Sequence, residues 1–313
     1  MEGDKLPYIS VIIPDYNRKE FLLNAIKSVV NQTLDKKSYE IIVIKNFEDE
    51  VIDNYISENN IKGMLSSETS LRGKLIEALN VAKGNVISFL DDDDLFFENK
   101  LEVVYKEFKK KDSLVYYHNR HVPINKDGKL MAVKSMYSLH FNMSCISIKK
   151  SIVKIPNLDK IRIALDTLMY LFALESNKKI KKGKEALTYY MFHESTSIIV
   201  TENYEEFKKL RITSSNSYID GIRPVINFFQ SKKTINFINA SITDAQIRLY
   251  ILSDKEEFPS KLLSYLIHME DDLKYRVKQF LACIVIKTRP KSRNFFSERI
   301  WTNYSNRTKE MNK

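Results

Sequence analysis

Four aspartates stand side by side at residues 91–94, directly after the apolar segment 86–90. Adjacent carboxylates repel one another, so the cluster adds nothing to the stability of a fold. Open α/β sheets bind ligands at the carboxyl ends of strands, and Mg²⁺ takes one or two carboxylates and shares its remaining coordination with substrate phosphates. The pattern predicts a divalent-cation site for a phosphorylated substrate, with a solvated acidic loop as the alternative.

A polar turn follows the first apolar segment, residues 8–13. Pro14 has no N–H to continue a central strand, so the chain is expected to leave the sheet at its carboxyl edge. Tyr16 then has room to stack on a flat ring, and backbone groups beside it can contact the edge of a base. The same residue types are common in ordinary turns.

Two cations, Arg72 and Lys74, stand at the start of the helical segment 71–82. Cations oppose the helix macrodipole there, whereas a bound diphosphate would favour both the helix end and the guanidinium. An ordinary surface arginine is the alternative. Gly84 is expected to cap the carboxyl end of this helix.

The elements that position these residues alternate along the first half of the chain. Strands are predicted at 8–13, 39–44, 62–65 and 86–90, with helices at 21–33, 51–59 and 71–82. Such alternation implies βαβ crossovers, and continuously apolar strands indicate a sheet covered on both faces. The fold class predicted is α/β, with a mostly parallel, Rossmann-like sheet flanked by helices.

The second half of the chain is less regular. Its predicted elements are helices at 99–110 and 164–177, strands at 113–118, 145–148 and 187–191, a turn at 125–129, and then only helices, at 204–212, 218–229, 240–252 and 260–286. These features divide the 313 residues into a domain over 1–200 and a helical C-terminal region over 201–313.

Composition and the lengths of the apolar runs indicate where in the cell the protein is located. Two cysteines rule out a disulfide framework, and the first residues do not resemble a signal peptide. The apolar run 280–286 is far shorter than the roughly 20 residues of a membrane-spanning helix. A cytoplasmic protein is expected, soluble or peripheral at the inner membrane face.

Most of the net charge of +10 lies at the carboxyl end, where residues 272–313 contain eleven Lys or Arg and three Asp or Glu. This basic segment suits an anionic membrane surface, a lipid phosphate or a nucleic acid, and a solubilising surface is the alternative. The run 280–286 with its basic flank is typical of an interfacial anchor, or equally of a core helix with a solvated end.

Three motifs in order carry a family resemblance. Val-Ile-Ile-Pro-Asp-Tyr-Asn-Arg at 11–18, an Arg-bearing helix ending in Ala-Lys-Gly, and Phe-Leu-Asp-Asp-Asp-Asp resemble the family 2 glycosyltransferases of the GT-A fold over about residues 7–200. The resemblance implies an inverting enzyme with Mn²⁺ or Mg²⁺ as cofactor. Its substrates would be a nucleoside-diphosphate sugar donor and a saccharide or lipid-linked acceptor.

The resemblance also assigns roles to single residues. Asp93 would be the main metal ligand, with Asp91 as a close competitor and His193 as a metal or phosphate contact; a structural histidine is the alternative. Asp166, the single acid between residues 160 and 174, would be the catalytic base, or else a helix cap. The nucleotide-binding set would be Pro14, Tyr16, Asn17, Arg18, Asn46, Arg72, Asp91 and Asp92.

One departure from the family pattern bears on the donor. The second strand usually ends in Val-Asp-Asp-Gly-Ser, and here it continues as Ile-Lys-Asn-Phe-Glu-Asp at residues 44–49. The Asn46 carbonyl would accept from N3–H of uracil but match the two donors of guanine poorly. UDP is therefore favoured over GDP, dTDP stays open, and Lys45 is a further candidate for a phosphate contact.

Two other functions compete with this interpretation. A nucleotidyltransferase usually has a glycine-rich phosphate loop near the first strand, and residues 14–18 contain no glycine. A non-catalytic binding protein for lipid or nucleic acid would leave the four aspartates unexplained, so nucleic acid is a disfavoured partner. Self-association remains open.

Overall fold

The computed structural model describes residues 6–15, 18–131, 142–192, 201, 203–254, 256–269 and 273–311, with side chains up to residue 306. The described residues form two compact units. The first contains residues up to 130 and 142–192, and the second contains the helices after residue 203.

Within the described residues, eight strands form one sheet in the order β3-β2-β1-β4-β7-β6-β8-β5. Pairing is parallel from β3 to β4 and between β6 and β8, whereas β7 is antiparallel to both its neighbours and β5 to β8. The strands are β1 (Ile9–Pro14), β2 (Tyr39–Lys45), β3 (Lys62–Leu65), β4 (Val86–Phe89), β5 (Leu95–Phe96), β6 (Leu114–Asn125), β7 (Ile146–Lys149) and β8 (Lys179–Phe192).

The helices of the first unit pack against this sheet, which confirms the predicted α/β class with a mostly parallel sheet. They are α1 (Lys19–Val30), α2 (Glu50–Glu58), α3 (Leu71–Val81), α4 (Lys100–Lys110), α5 (Ile155–Leu158) and α6 (Leu165–Glu175). Side-chain caps start two of them, because Asp49 accepts from the Ile52 N–H and Ser70 from the Gly73 N–H. Leu22, Ile26 and Val29 of α1 are fully buried in the core of this unit.

The sequence predicts that Gly84 caps α3, and this prediction is wrong. The helix ends at Val81, the cap residue Ala82 is extended, and Gly128 is the one described glycine with positive φ. A Cβ at Gly84 would lie 2.4 Å from the backbone nitrogen of Ser10. Glycine is required there because the chain passes against β1, which a local sequence pattern does not reveal.

The second unit is helical, as predicted, with different boundaries: α7 (Tyr204–Ile222), α8 (Lys232–Leu252), α9 (Leu262–His268), α10 (Leu273–Thr288) and α11 (Arg293–Met311). The predicted single helix 260–286 is interrupted between α9 and α10, and α11 was not predicted. Ile247, Tyr265 and Cys283 are among the buried residues that join α8, α9 and α10 in one core. No described helix is long and apolar enough to cross a bilayer.

Candidate active site

The carboxyl ends of three parallel strands bring the sequence motifs to one edge of the sheet. The Asp15 N–H, just after β1, donates to the Ile44 carbonyl of β2 at 2.9 Å. The Leu90 N–H, just after β4, donates to the Ile12 carbonyl of β1 at 3.0 Å. The residues that follow β1, β2 and β4 therefore start from the same edge.

The four aspartates, residues 91–94, form a turn that the surrounding chain holds in place; we call it the acidic turn. The Asp94 N–H donates to the Asp91 carbonyl at 3.2 Å, and the Asp91 N–H donates to Ser144 Oγ at 2.9 Å. Asp94 Oδ1 in turn accepts from the Met191 N–H at 3.0 Å. Asp92 and Asp94 are fully buried and Asp93 is 8% exposed, which excludes the solvated loop.

Arg18 is the cation nearest to these carboxylates. Its guanidinium lies 2.8 Å from Asp92 Oδ1 and forms a second ion pair with Asp93 Oδ2. Burial lowers the pKa of Arg18, but Asp93, Asp92 and Asp91 outweigh that effect and raise it. Burial and the neighbouring carboxylates together raise the pKa of Asp91 and of Asp94. The acidic turn therefore attracts positive charge strongly, and the chain supplies part of it.

The donor set fits a hard divalent cation. Asp91 and Asp93 offer carboxylate oxygens, the ligand type that Mg²⁺ and similar ions prefer. No group of three or more suitable His, Cys, Asp or Glu is found among the residues that the structure describes. Phosphate oxygens and water would complete the coordination of an ion held here, as is usual for Mg²⁺ bound with a nucleotide.

A network of buried polar side chains is hydrogen-bonded to the acidic turn through Ser144. Lys100 is fully buried, and its Nζ donates to the Ser144 carbonyl and, at 3.1 Å, to Thr188 Oγ1. The Thr188 hydroxyl also accepts from Asn119 Nδ2 at 2.9 Å. Burial lowers the pKa of Lys100 to about 7. Because Ser144 Oγ accepts from the Asp91 N–H, this network connects β6 and β8 to the acidic turn.

Lys74 ties the ends of β1 and β2 together. Only 1% of the residue is exposed, and its Nζ donates to the Asp15 carbonyl at 2.9 Å and to Asn46 Oδ1 at 3.0 Å. An ammonium group can only donate, so the amide oxygen of Asn46 has to face it. The Nδ2 group of Asn46 is therefore directed away from Lys74.

Arg72 connects the start of α3 to the segment that precedes α6. Its guanidinium donates to the carbonyls of Leu158 at 2.6 Å and Ile163 at 2.5 Å. Helices that follow parallel strands begin at the carboxyl edge of the sheet, so this pair of bonds anchors residues 158–163 near that edge. Arg72 was predicted to contact the nucleotide; its described bonds go to backbone carbonyls, and the nucleotide contact stays a prediction.

Asp166 lies in the first turn of α6. Its Oδ1 accepts from the N–H of Thr167 at 2.5 Å and from the Thr167 hydroxyl at 3.2 Å. Burial raises the pKa of Asp166 to about 6, with the bonds from Thr167 opposing the shift. A carboxylate with this pKa is ionised at neutral pH and is a stronger base than an exposed aspartate.

The other predicted residues are distributed as follows. Pro14 ends β1 and is buried, and Arg18 is brought together with Asp92 and Asp93. Tyr16, Asn17 and His193 lie outside the described residues, so their predicted roles stay predictions. Sequence reasoning missed the roles of Lys100 and Ser144, because a lysine at a helix start and an isolated serine carry no recognisable pattern.

Comparison with known proteins agrees with this geometry. The model of the family described as "Glycosyl transferase family 2" matches residues 10–160, which contain both polar strand ends and the acidic turn. Residues 10–160 form a domain of glycosyltransferase family 2. An uncharacterized glycosyltransferase of Rickettsia bellii is 27% identical to the chain over 262 residues, which cover 76% of the chain. The chain spans 36% of that relative's length.

Solved structures place the chain in the GT-A fold. Staphylococcus aureus TarS in complex with UDP-GlcNAc superposes with a TM-score of 0.53 at 16% identity, covering 88% of this chain and 81% of the other. The mannosyltransferase PcManGT from Pyrobaculum calidifontis, in complex with GDP-Man and Mn²⁺, superposes with a TM-score of 0.51 at 11% identity. The match covers 92% of this chain and 88% of the other.

Proposed function

We propose that the chain catalyses an inverting, metal-dependent transfer of a sugar from a nucleoside-diphosphate sugar to a hydroxyl acceptor. The observation that carries the proposal is the buried acidic turn at the carboxyl edge of the sheet, where adjacent carboxyl groups lie beside the guanidinium of Arg18. The nucleotide-sugar complexes of TarS and PcManGT support a donor of this class.

The leaving group is a diphosphate, which has to be neutralised as the bond to the sugar breaks. When bound, Mn²⁺ or Mg²⁺ would be held by Asp93 with Asp91 in support, and His193 as a further candidate, and would stabilise the charge on the diphosphate. Arg18 forms ion pairs with Asp92 and Asp93 and adds a second positive group at this edge of the sheet. Arg18 would offset part of the remaining negative charge of the donor.

The acceptor is activated by Asp166. A hydroxyl is a weak nucleophile near neutral pH, so its proton has to be removed as its oxygen attacks the anomeric carbon. The proton passes to the Asp166 carboxylate, the new C–O bond forms opposite the leaving group, and the electron pair of the broken bond stays with the diphosphate. Attack from the opposite face inverts the anomeric configuration.

UDP is the favoured nucleotide. Asn46 replaces the aspartate usual in the family, which would accept from the donors of guanine. Because the Asn46 side-chain oxygen accepts from Lys74, its Nδ2 would face the base and donate to a carbonyl of uracil. The base would lie against Pro14, Tyr16 and Asn17, with Asp92 near the ribose and Arg72 near the nucleotide. The acceptor is a saccharide, free or lipid-linked, with residues 1–200 as the catalytic domain and the helices of 201–313 as the region for acceptor, membrane or subunit contact.

A nucleotide-binding experiment tests the proposal. The melting temperature of the full chain is measured with UDP, GDP or dTDP, each with Mn²⁺ and with a chelator. We expect stabilisation by UDP that requires Mn²⁺ and is lost in Asp93→Ala. Asp112→Ala, which removes an exposed carboxylate paired with Lys149, is the matched control and should respond like the wild type. If no nucleoside diphosphate stabilises the chain with metal, the proposed function is wrong.

A further inference from the structure

Exposed apolar side chains are concentrated in one part of the second unit. Leu273, Leu281 and Ile284 of α10 are 58%, 53% and 38% exposed, and Leu263 and Ile267 of the preceding helix α9 are 69% and 72% exposed. Single exposed apolar residues are normal on a protein surface, but a row of them on one helix marks a contact site.

Five of the six exposed apolar residues of α10 lie on one side of the helix, and Tyr275 is the exception. Positions 273, 277, 281, 284 and 285 follow the spacing of three and four residues that aligns side chains along one helix face. The opposite side is buried, since Ala282, Cys283 and Ile286 belong to the core that α10 shares with α8 and α9. We call the exposed residues Leu273, Val277, Leu281, Ile284 and Val285 the α10 stripe.

The structure therefore corrects the sequence-based view of this segment. The sequence of 280–286 predicts an interfacial anchor or a core helix; in the structure Ala282, Cys283 and Ile286 face the core and Leu281, Ile284 and Val285 face outward. The core interpretation is therefore right for one face of the helix, and the anchor stays a prediction. The surface available to a partner extends two turns further towards the start of α10 than the apolar run suggested.

Charge indicates what covers the stripe. The sequence of α10 contains Lys274, Arg276, Lys278 and Lys287 and no acid. Lys274 and Lys278 are exposed and adjoin Leu273 and Val277 in the sequence. Apolar side chains rimmed by lysine suit the boundary between acyl chains and anionic headgroups, where lysine stems reach outward to phosphate. A second copy of the chain would instead bring equal positive charges together, which opposes association.

We propose that α10 lies flat on an anionic lipid surface, with the α10 stripe inserted among the acyl chains and Lys274 and Lys278 on the headgroups. The helix has 16 residues, or about 24 Å at 1.5 Å per residue, and is suited to lying in the interface. This surface specifies the membrane contact of the proposed function and is independent of the chemistry of the acidic turn.

Vesicle co-sedimentation of the full chain tests this proposal. The vesicles contain phosphatidylcholine alone or a mixture with phosphatidylglycerol, and no sugar nucleotide is present. We expect binding to the phosphatidylglycerol vesicles, weakening in high salt, and at least ~10-fold weaker binding for Val277→Glu/Leu281→Glu. The matched control is Val51→Glu/Leu130→Glu, at two positions of the first unit that are 65% and 71% exposed, and it should bind like the wild type.

Three results would overturn the proposal. They are no binding of the wild type to anionic vesicles, equal binding by the stripe variant, or a change from oligomer to monomer in that variant by light scattering, which would make the stripe a subunit interface. Hydrolysis of a sugar nucleotide in solution, measured without vesicles, checks that each variant is folded. That assay also separates a failure of the membrane proposal from a failure of the proposed enzymatic function.

Discussion

The pKa of Asp166 sets the acid limb of the pH profile. If Asp166 is the base, turnover requires its ionised form and is lost as the pH falls through its pKa in the folded chain. With a pKa of about 6, the ionised fraction falls from about 90% at pH 7 to about 10% at pH 5. The ionised fraction of an aspartate at the ordinary value of 3.8 would fall by only about 6% over the same range.

The assay is the initial rate of UDP release at saturating donor and Mn²⁺, so that kcat rather than donor or metal binding is followed. We expect kcat to fall about tenfold from pH 7 to pH 5. Asp166→Asn should bind the donor with near-native affinity, turn over at least ~100-fold more slowly and lose this slope. Thr167→Val removes the hydroxyl bond to Asp166 Oδ1 and should move the midpoint upward. A slope that persists in Asp166→Asn would refute the assignment.

Three further substitutions probe the structure around the site. In the absence of donor, the Arg18 guanidinium would compete with Mn²⁺ for Asp93, with which it is paired. Arg18→Gln should therefore raise Mn²⁺ affinity in titration calorimetry, and unchanged affinity would contradict this competition. Lys100→Met leaves the Ser144 carbonyl with one bond fewer and should lower the free energy of unfolding in urea by about 1–3 kcal/mol. Gly84→Ala forces a Cβ against the backbone of β1 and should cost about 1–3 kcal/mol in the same assay, and a neutral effect would show that the contact relaxes.

The sequence predicted those features that depend on local pattern. The apolar strands β1, β2 and β4 and the acidic turn were found because each is continuous in sequence. The long pair β6 and β8 was predicted only in part, at 113–118 and 187–191, because residues 179–186 are rich in lysine and lack an apolar run. Residues 179–186 form a strand because they pair with β6, which is distant in sequence, and no local pattern encodes such pairing.

The supporting contacts of the site were beyond sequence reasoning for the same reason. Lys100 and Ser144 are 44 residues apart, and Arg72 bonds carbonyls 86 and 91 residues away. Residue types predicted which groups could bind a cation or take a proton. Only the fold shows that Arg72 anchors the chain that leads to Asp166, and that two buried lysines hold the strand ends and the acidic turn.

The anomeric configuration of the first product tests the central proposal most directly. The wild-type chain is incubated with Mn²⁺ and an α-configured UDP-sugar, with water as acceptor, and the sugar released is followed by proton NMR before it mutarotates. Direct attack assisted by Asp166 predicts that the β-anomer appears first. Initial release of the α-anomer would contradict a single inverting displacement and the role of Asp166 as its base.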